Sequence, residues 1–152
     1  MIVKSIVWPD EKATQAFARA LAAQSGLAHA IIELRGDLGA GKTTFVRYLL
    51  GALGVAGRIK SPTYAVVEPY ELASGVQIWH IDFYRFNDPD EWEEAGFRDI
   101  FASPGLKLVE WAANAGRHLP QADLVLAIDA IDSDARSVTL TALTDAGARL
   151  LP

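Results

Sequence analysis

The chain has 152 residues, 51% of them apolar and 22% charged, which is the composition of a folded globular protein and not of a disordered one. That length predicts a single domain over 1–152 with one well-buried core. A formal net charge of −5 argues against charge-driven binding to DNA or RNA, and the lack of cysteine removes disulfides and thiolate metal sites.

In chain order, "MIVKSIVW" predicts a strand over 2–8, an apolar run too short for a signal-peptide core or a membrane span, so the cytoplasm is the expected location. Asp10 is a good cap for a helix over 11–24, with Ala13, Phe17, Ala20 and Leu21 on one face and Gly26 as its stop. "AIIEL" (30–34) reads as a buried strand running straight into glycine. A helix is expected from Lys42 to Leu53, ending near Gly54. "SPTYAVVEPYEL" and "VQIWHIDFYRF" read as two strands joined by a turn at Ser74-Gly75. In "NDPDEWEEAGF", Asp88 caps a helix and Pro89 takes its first position. "LKLVEW" and "ADLVLAID" predict two more strands with a helix across "AANAGRHL" between them, and "RSVTLTAL" alternates like an edge strand. Strands alternate with helices in the middle of the chain and the ends add antiparallel material, which predicts an α/β layered domain with a mixed sheet.

The stretch "GDLGAGKTTF" meets the pattern Gly-x4-Gly-Lys-Ser/Thr through Gly36, Gly41, Lys42 and Thr43. The glycines permit a tight loop and close backbone approach, successive N–H groups turn inward, and the helix N-terminus adds positive partial charge. Lys42 can then reach the β- and γ-phosphates of a nucleotide, and the Thr43 hydroxyl can bind Mg²⁺. At a glycine frequency of about 7%, a chain of this length meets the pattern by accident about once in two hundred times. The loop also follows a predicted strand and opens a predicted helix, as the chemistry requires. The expected fold is therefore α/β and P-loop NTPase-like, with a mostly parallel central sheet flanked by helices. Asp37, Leu38, Gly39, Ala40, Gly41, Lys42, Thr43 and Thr44 are the candidate nucleotide contacts of the loop. The bland alternative is a glycine-rich turn without a ligand.

A nucleotide site of this kind also needs a carboxylate near Mg²⁺ and a group that orients water. "VQIWHID" ends in Asp82 and "LKLVE" ends in Glu110. Ligands of open α/β sheets sit beyond the carboxyl ends of the parallel strands, so both acids can face a γ-phosphate. Either could instead cap a neighbouring helix, and the pattern does not decide which one stands beside the metal. Trp111 either stacks on a base or packs in the core. "KSPTY" (60–64) lies where GTPases place a segment that senses the γ-phosphate, which makes Ser61 and Thr63 candidates, against a plain turn shaped by Pro62. Arg85 is a candidate contact for a phosphate or a partner's acid, against a surface ion pair. His80 reads as structural.

No guanine-reading Asn-Lys-x-Asp follows, nor any Gly-rich ABC signature. A small-molecule kinase stays open as an alternative, although Arg85 and Arg98 amid many acids make a poor phosphate lid. A binding module that uses nucleotide only to order its surface is a third possibility.

Together the blocks "GDLGAGKTTFVRYLLGALG", "SPTY", "HIDFYRFNDPDEWEEAGFRD" and "LKLVEWAANAGRHLP" closely resemble the bacterial TsaE (formerly YjeE) family over residues 10–130, in the family's order. The resemblance implies a small ATPase of the pathway that puts threonylcarbamoyl on the adenosine beside the anticodon of tRNAs reading codons that begin with A. It implies ATP and Mg²⁺ as cofactors and the TsaD and TsaB proteins as partners. TsaD would carry the transferase site, and the ATP cycle would support repeated turnover. It further implies that Lys42 holds phosphate, that Thr43 binds Mg²⁺ and that Glu110 lies near that metal. Asp82 would be a second acid needed for ATP turnover, Trp111 would lie near the nucleotide, and Thr63 would belong to the switch-like segment. The acidic charge agrees, because tRNA would be met only through the partners; neither DNA nor a membrane is expected. Hydrolysis by the isolated chain would be slow.

Overall fold

The structure is a computed structural model that describes residues 1–62, 66–88 and 96–152. One seven-stranded sheet runs through it. Its strands are β1 (Ile2–Trp8), β2 (Ile31–Arg35), β3 (Val67–Glu71), β4 (Gln77–Asp82), β5 (Leu106–Glu110), β6 (Leu124–Ala130) and β7 (Arg136–Ala142). Their spatial order is β1-β7-β6-β2-β5-β4-β3. The four inner strands β6, β2, β5 and β4 are parallel. β3 joins β4 as an antiparallel hairpin, and β7 and β1 add two antiparallel strands at the far side. The sheet is thus mixed and mostly parallel at its centre, as the alternation of elements predicts.

Among the described residues the α-helices are α1 (Glu11–Ala22), α2 (Lys42–Leu53), α3 (Phe97–Ala102) and α4 (Asp145–Ala148). α1 starts where Asp10 accepts the Ala13 N–H at 2.9 Å, a cap worth about 1 kcal/mol. Its end departs from expectation. The helix closes at Ala23 in ordinary right-handed geometry, and Gly26 lies within a 3₁₀ turn, Ser25–His29, rather than at the stop. α2 runs from Lys42 to Leu53 and closes at Gly54, as expected.

α1 and α2 cover one face of the sheet. Trp8, Phe17 and Phe45 bring β1, α1 and α2 together, with ring centroids 5.3–6.0 Å apart. Val46, Leu49 and Leu50 of α2 then pack over Ile32, Leu34, Leu106, Leu108 and Ile78. The opposite face carries a smaller cluster of Ile81, Val109, Phe83, Phe97 and Ala115. Every residue of β5 is buried, as a strand covered on both faces should be.

Two further expectations change. "RSVTLTAL" is not an edge: β7 lies between β1 and β6, and β1 is the edge. "AANAGRHL" does not make an α-helix. It forms 3₁₀ turns over Ala112–His118 that are broken at Gly116 (φ 60°, ψ −143°), a backbone that suits glycine and ends regular winding. The helix expected to open at Pro89 lies outside the described residues.

Candidate active site

The order of the parallel strands assembles the site. β2, β5 and β4 are neighbours, and their carboxyl ends carry the glycine loop, Glu110 and Asp82 in turn. Leu34 is registered to Glu110, and Glu110 to Asp82. Both acids therefore come to the mouth of the loop from adjacent strands, with Glu110 on the strand beside it.

The loop has the shape of a phosphate cradle. Gly36 leaves β2 at φ 150°, and a Cβ there would stand 2.5 Å from the Ile128 carbonyl oxygen. Gly41 precedes α2 at φ 114°. Ala40 N–H closes a turn to the Asp37 carbonyl at 3.0 Å, and the Phe45 N–H binds the Gly41 carbonyl at 3.0 Å. The amides of Lys42, Thr43 and Thr44 precede that bond, so the helix offers them no acceptor of its own. Three N–H groups and the positive end of α2 thus converge where an anion fits.

Lys42 is buried, and its ammonium donates to the Gly36 carbonyl at 2.6 Å. It also lies 3.9 Å from Glu110 Oε1 and 4.2 Å over the ring of Trp111. Burial pulls its pKa below the usual lysine value, and the carboxylates of Glu110, Asp82 and Asp37 pull the other way. Asp82 is also buried, and burial raises its pKa. The Tyr84 N–H, bound to Asp82 Oδ1 at 2.8 Å, opposes that rise; Glu110 adds to it, and His80 and Lys42 reduce it. Two carboxylates and a buried ammonium thus share one cleft in a low-dielectric setting, where charge on an incoming ligand is felt strongly.

Trp111 takes the left-handed conformation at φ 57°, ψ 40° directly after Glu110. That conformation costs a non-glycine residue roughly 1–2 kcal/mol, and such strain gathers at functional sites. The ring lies against Tyr84, with centroids 5.1 Å apart. Trp111 is therefore a half-buried wall of the cleft, in contact with the loop lysine.

Lys42, Thr43, Thr44, Leu38, Gly39, Gly41, Asp82, Glu110 and Trp111, nine of the residues expected from sequence, line one cleft. Asp37 and Ala40 belong to the loop behind it. Ser61 and Arg85 are exposed and do not line the cleft. Thr63 lies outside the described residues. Val66, the next described residue after it, adopts φ 69° and accepts the Asp82 N–H at 2.8 Å.

Two residues of the site carried no functional expectation. Arg136, the first residue of β7, lines the same cleft and donates from Nε to the Ala40 carbonyl at 2.7 Å. His80 is buried, with Nε2 2.6 Å from Glu110 Oε2. Sequence did hold a signal for His80: it precedes Asp82 by two residues on a strand, hence on the same face. No local signal marks Arg136.

Among the described residues no group of three or more His, Asp or Glu could cage a cation. Two carboxylates and the Thr43 hydroxyl suit Mg²⁺, which takes one or two carboxylates and fills its shell with phosphate oxygens and water. With three amides free of intrahelical acceptors, the residues present fit Mg-ATP.

Comparison with known proteins finds relatives across most of the chain. The family model described as "Threonylcarbamoyl adenosine biosynthesis protein TsaE" matches residues 8–138. The tRNA threonylcarbamoyladenosine biosynthesis protein TsaE of Haemophilus influenzae is 45% identical over 121 residues, covering 80% of this chain and 75% of that one. The protein of the same name from Aquifex aeolicus is 37% identical over 141 residues, 91% of this chain and 96% of its own. The crystal structure of YdiB from Bacillus subtilis superposes with a TM-score of 0.78 at 31% identity, covering 99% of this chain and 93% of that one. The P-loop, the acids at the ends of β4 and β5, and these matches across most of the chain lead to one assignment: the protein belongs to the TsaE family.

Proposed function

We propose that this chain, as one domain, is the ATP-hydrolysing component of tRNA threonylcarbamoyladenosine formation. The convergence of Lys42, Asp82 and Glu110 on one cleft at the mouth of the glycine loop carries the reading. The relatives' names supply the pathway. ATP is the substrate. The amides of Lys42, Thr43 and Thr44 hold its phosphates, and Lys42 leaves the Gly36 carbonyl to pair with the β- and γ-phosphates. Thr43 and Glu110 hold Mg²⁺, which when bound neutralises charge on the transferred phosphoryl group. Asp82, beside Glu110 and fixed by the Tyr84 N–H, orients the attacking water. Trp111 closes one wall of the cleft. Ser61 and Thr63 belong to a segment that responds to the γ-phosphate, and Arg85 meets a phosphate or an acid of a partner.

The chain works in the cytoplasm with TsaD and TsaB and reaches tRNA through them. Among the described residues no helix is long and apolar enough to cross a membrane. Its own hydrolysis is slow because product release or the last stabilising groups come from the complex.

Lys42→Ala, Thr43→Ala and Asp82→Ala should each lower ATP turnover, by about 10²–10³-fold for loss of one transition-state contact, with unchanged circular dichroism. γ-Labelled ATP incubated with the chain and pooled cell metabolites should release label as inorganic phosphate. Label in an organic product would make the chain a kinase and overturn the reading.

A further inference from the structure

His80 is one of the few polar side chains buried in the sheet, and it stands between the core and the site. It is registered to Leu108 on β5, and Glu110 lies two residues further along that strand. Residues two apart share a face of a strand, so His80, Asp82 and Glu110 all project toward α2, beyond the layer of Ile78, Leu106 and Leu108. The imidazole Nε2 is 2.6 Å from Glu110 Oε2, and His80 is only 1% exposed. A carboxylate can only accept, so Nε2 is the nitrogen that carries the hydrogen. The other ring nitrogen, Nδ1, is buried with no partner among the described residues. A buried polar atom without a partner is a cost that native structures rarely carry without a reason.

We propose that His80 is a positioning residue for the nucleotide site: it holds Oε2 of Glu110 and thereby presents Oε1 to the cleft. This rests on the nucleotide-site reading above. Oε1 is the oxygen that faces Lys42, at 3.9 Å. With Oε2 engaged, the Glu110 side chain has one orientation instead of several, and a single oxygen remains to take a cation. Outer partners of a metal-binding carboxylate act in this way, and losing one costs about 10–100-fold in metal affinity or activity. Glu110 ends a strand that neighbours the loop strand, where a carboxylate that turned toward Lys42 with both oxygens would pair with the ammonium and compete with phosphate. The His80 bond opposes that collapse.

The test is binding of a fluorescent ADP analogue to the full chain, with and without Mg²⁺, in wild type, His80→Gln and His80→Met. The terminal amide nitrogen of glutamine falls near the place of Nε2 and can donate; methionine fills similar volume and cannot. His80→Met should lose about 10–100-fold of the Mg²⁺-dependent gain in affinity while Mg²⁺-free binding stays within about twofold. His80→Gln should recover most of that gain. In parallel, proton NMR of wild type should show an exchange-protected His80 Nε2–H signal that is absent in Glu110→Ala. Wild-type Mg²⁺ dependence in His80→Met would overturn the inference. So would equal losses in both variants together with lowered melting temperatures, the pattern of a purely structural role. If wild type itself does not bind the analogue, the nucleotide-site reading falls, and the inference falls with it; a wild type that binds and a His80→Met that binds as well remove the inference alone.

Discussion

Asp82 shows what the site demands of single side chains. Burial raises its pKa above the ordinary 3.8, so the folded chain takes up its proton more readily than the unfolded one. The sign follows from linkage: protonated Asp82 favours the fold fully below pH 3.8, and that contribution is lost as pH rises through the higher folded value. At neutral pH the ionised carboxylate is a net cost to stability. Asp82→Asn should therefore raise the melting temperature at pH 7.5, the gain should shrink toward pH 4, and ATP turnover should be lost, a familiar trade between stability and activity. Thermal scans at the two pH values check this; a lower melting temperature at pH 7.5 would contradict it. The sequence made Lys42 and Thr43 legible because a phosphate loop is a local pattern. It made Asp82 and Glu110 legible because strand ends can be read from apolar runs. It could not mark Arg136, which reaches the Ala40 carbonyl across 96 positions. The role of His80 also escaped, because a histidine in an apolar strand looks like core until the neighbouring strand is known.

The β2–loop–α2 unit depends on backbone that only glycine allows. A Cβ on Gly36 would meet the backbone of β6 at the Ile128 oxygen, 2.5 Å away, where nothing flexible can yield. Gly36→Ala should destabilise the chain by about 3 kcal/mol or more, as read from urea unfolding; a wild-type midpoint would contradict the geometry. Arg136 ties the loop to the β6–β7 turn through Ala40 and through the carbonyls of Asp132 and Ala135, at 3.0 and 2.9 Å. Arg136→Gln should leave the fold intact and weaken Mg-ATP binding by about tenfold, the scale of one charged hydrogen bond. Calorimetric titration measures it, and unchanged affinity would remove Arg136 from the site. The elements themselves were mostly readable, because each strand or helix of the centre carries its own periodicity. The misread ones have physical causes. β7 alternates like an edge because only one of its faces is fully packed, while its neighbour β1 pairs along all of its length. The segment after Trp111 has helical composition, but Gly116 interrupts its winding.

Taken as a whole, the chain has the parts to bind and hydrolyse ATP, but a formal charge of −5 leaves it poorly suited to grip tRNA by itself. Its β4 and β5 strand ends, its loop and Trp111 form one face, and Leu38 and Tyr84, 66% and 41% exposed, stand at that face. Large apolar side chains in that position suit contact with another protein. The family was legible because its motifs cluster on the three strand ends that build this face; the proposal of TsaD and TsaB as partners comes only from that resemblance, since no local pattern encodes a surface contributed by another chain. The most direct test is tRNA threonylcarbamoylation followed over many cycles. TsaD, TsaB, threonylcarbamoyl-adenylate, unmodified tRNA and Mg-ATP would be combined with this chain present or absent. Product should stop near one equivalent per TsaD without the chain and keep accumulating with it; equal accumulation in both reactions would contradict its role in turnover.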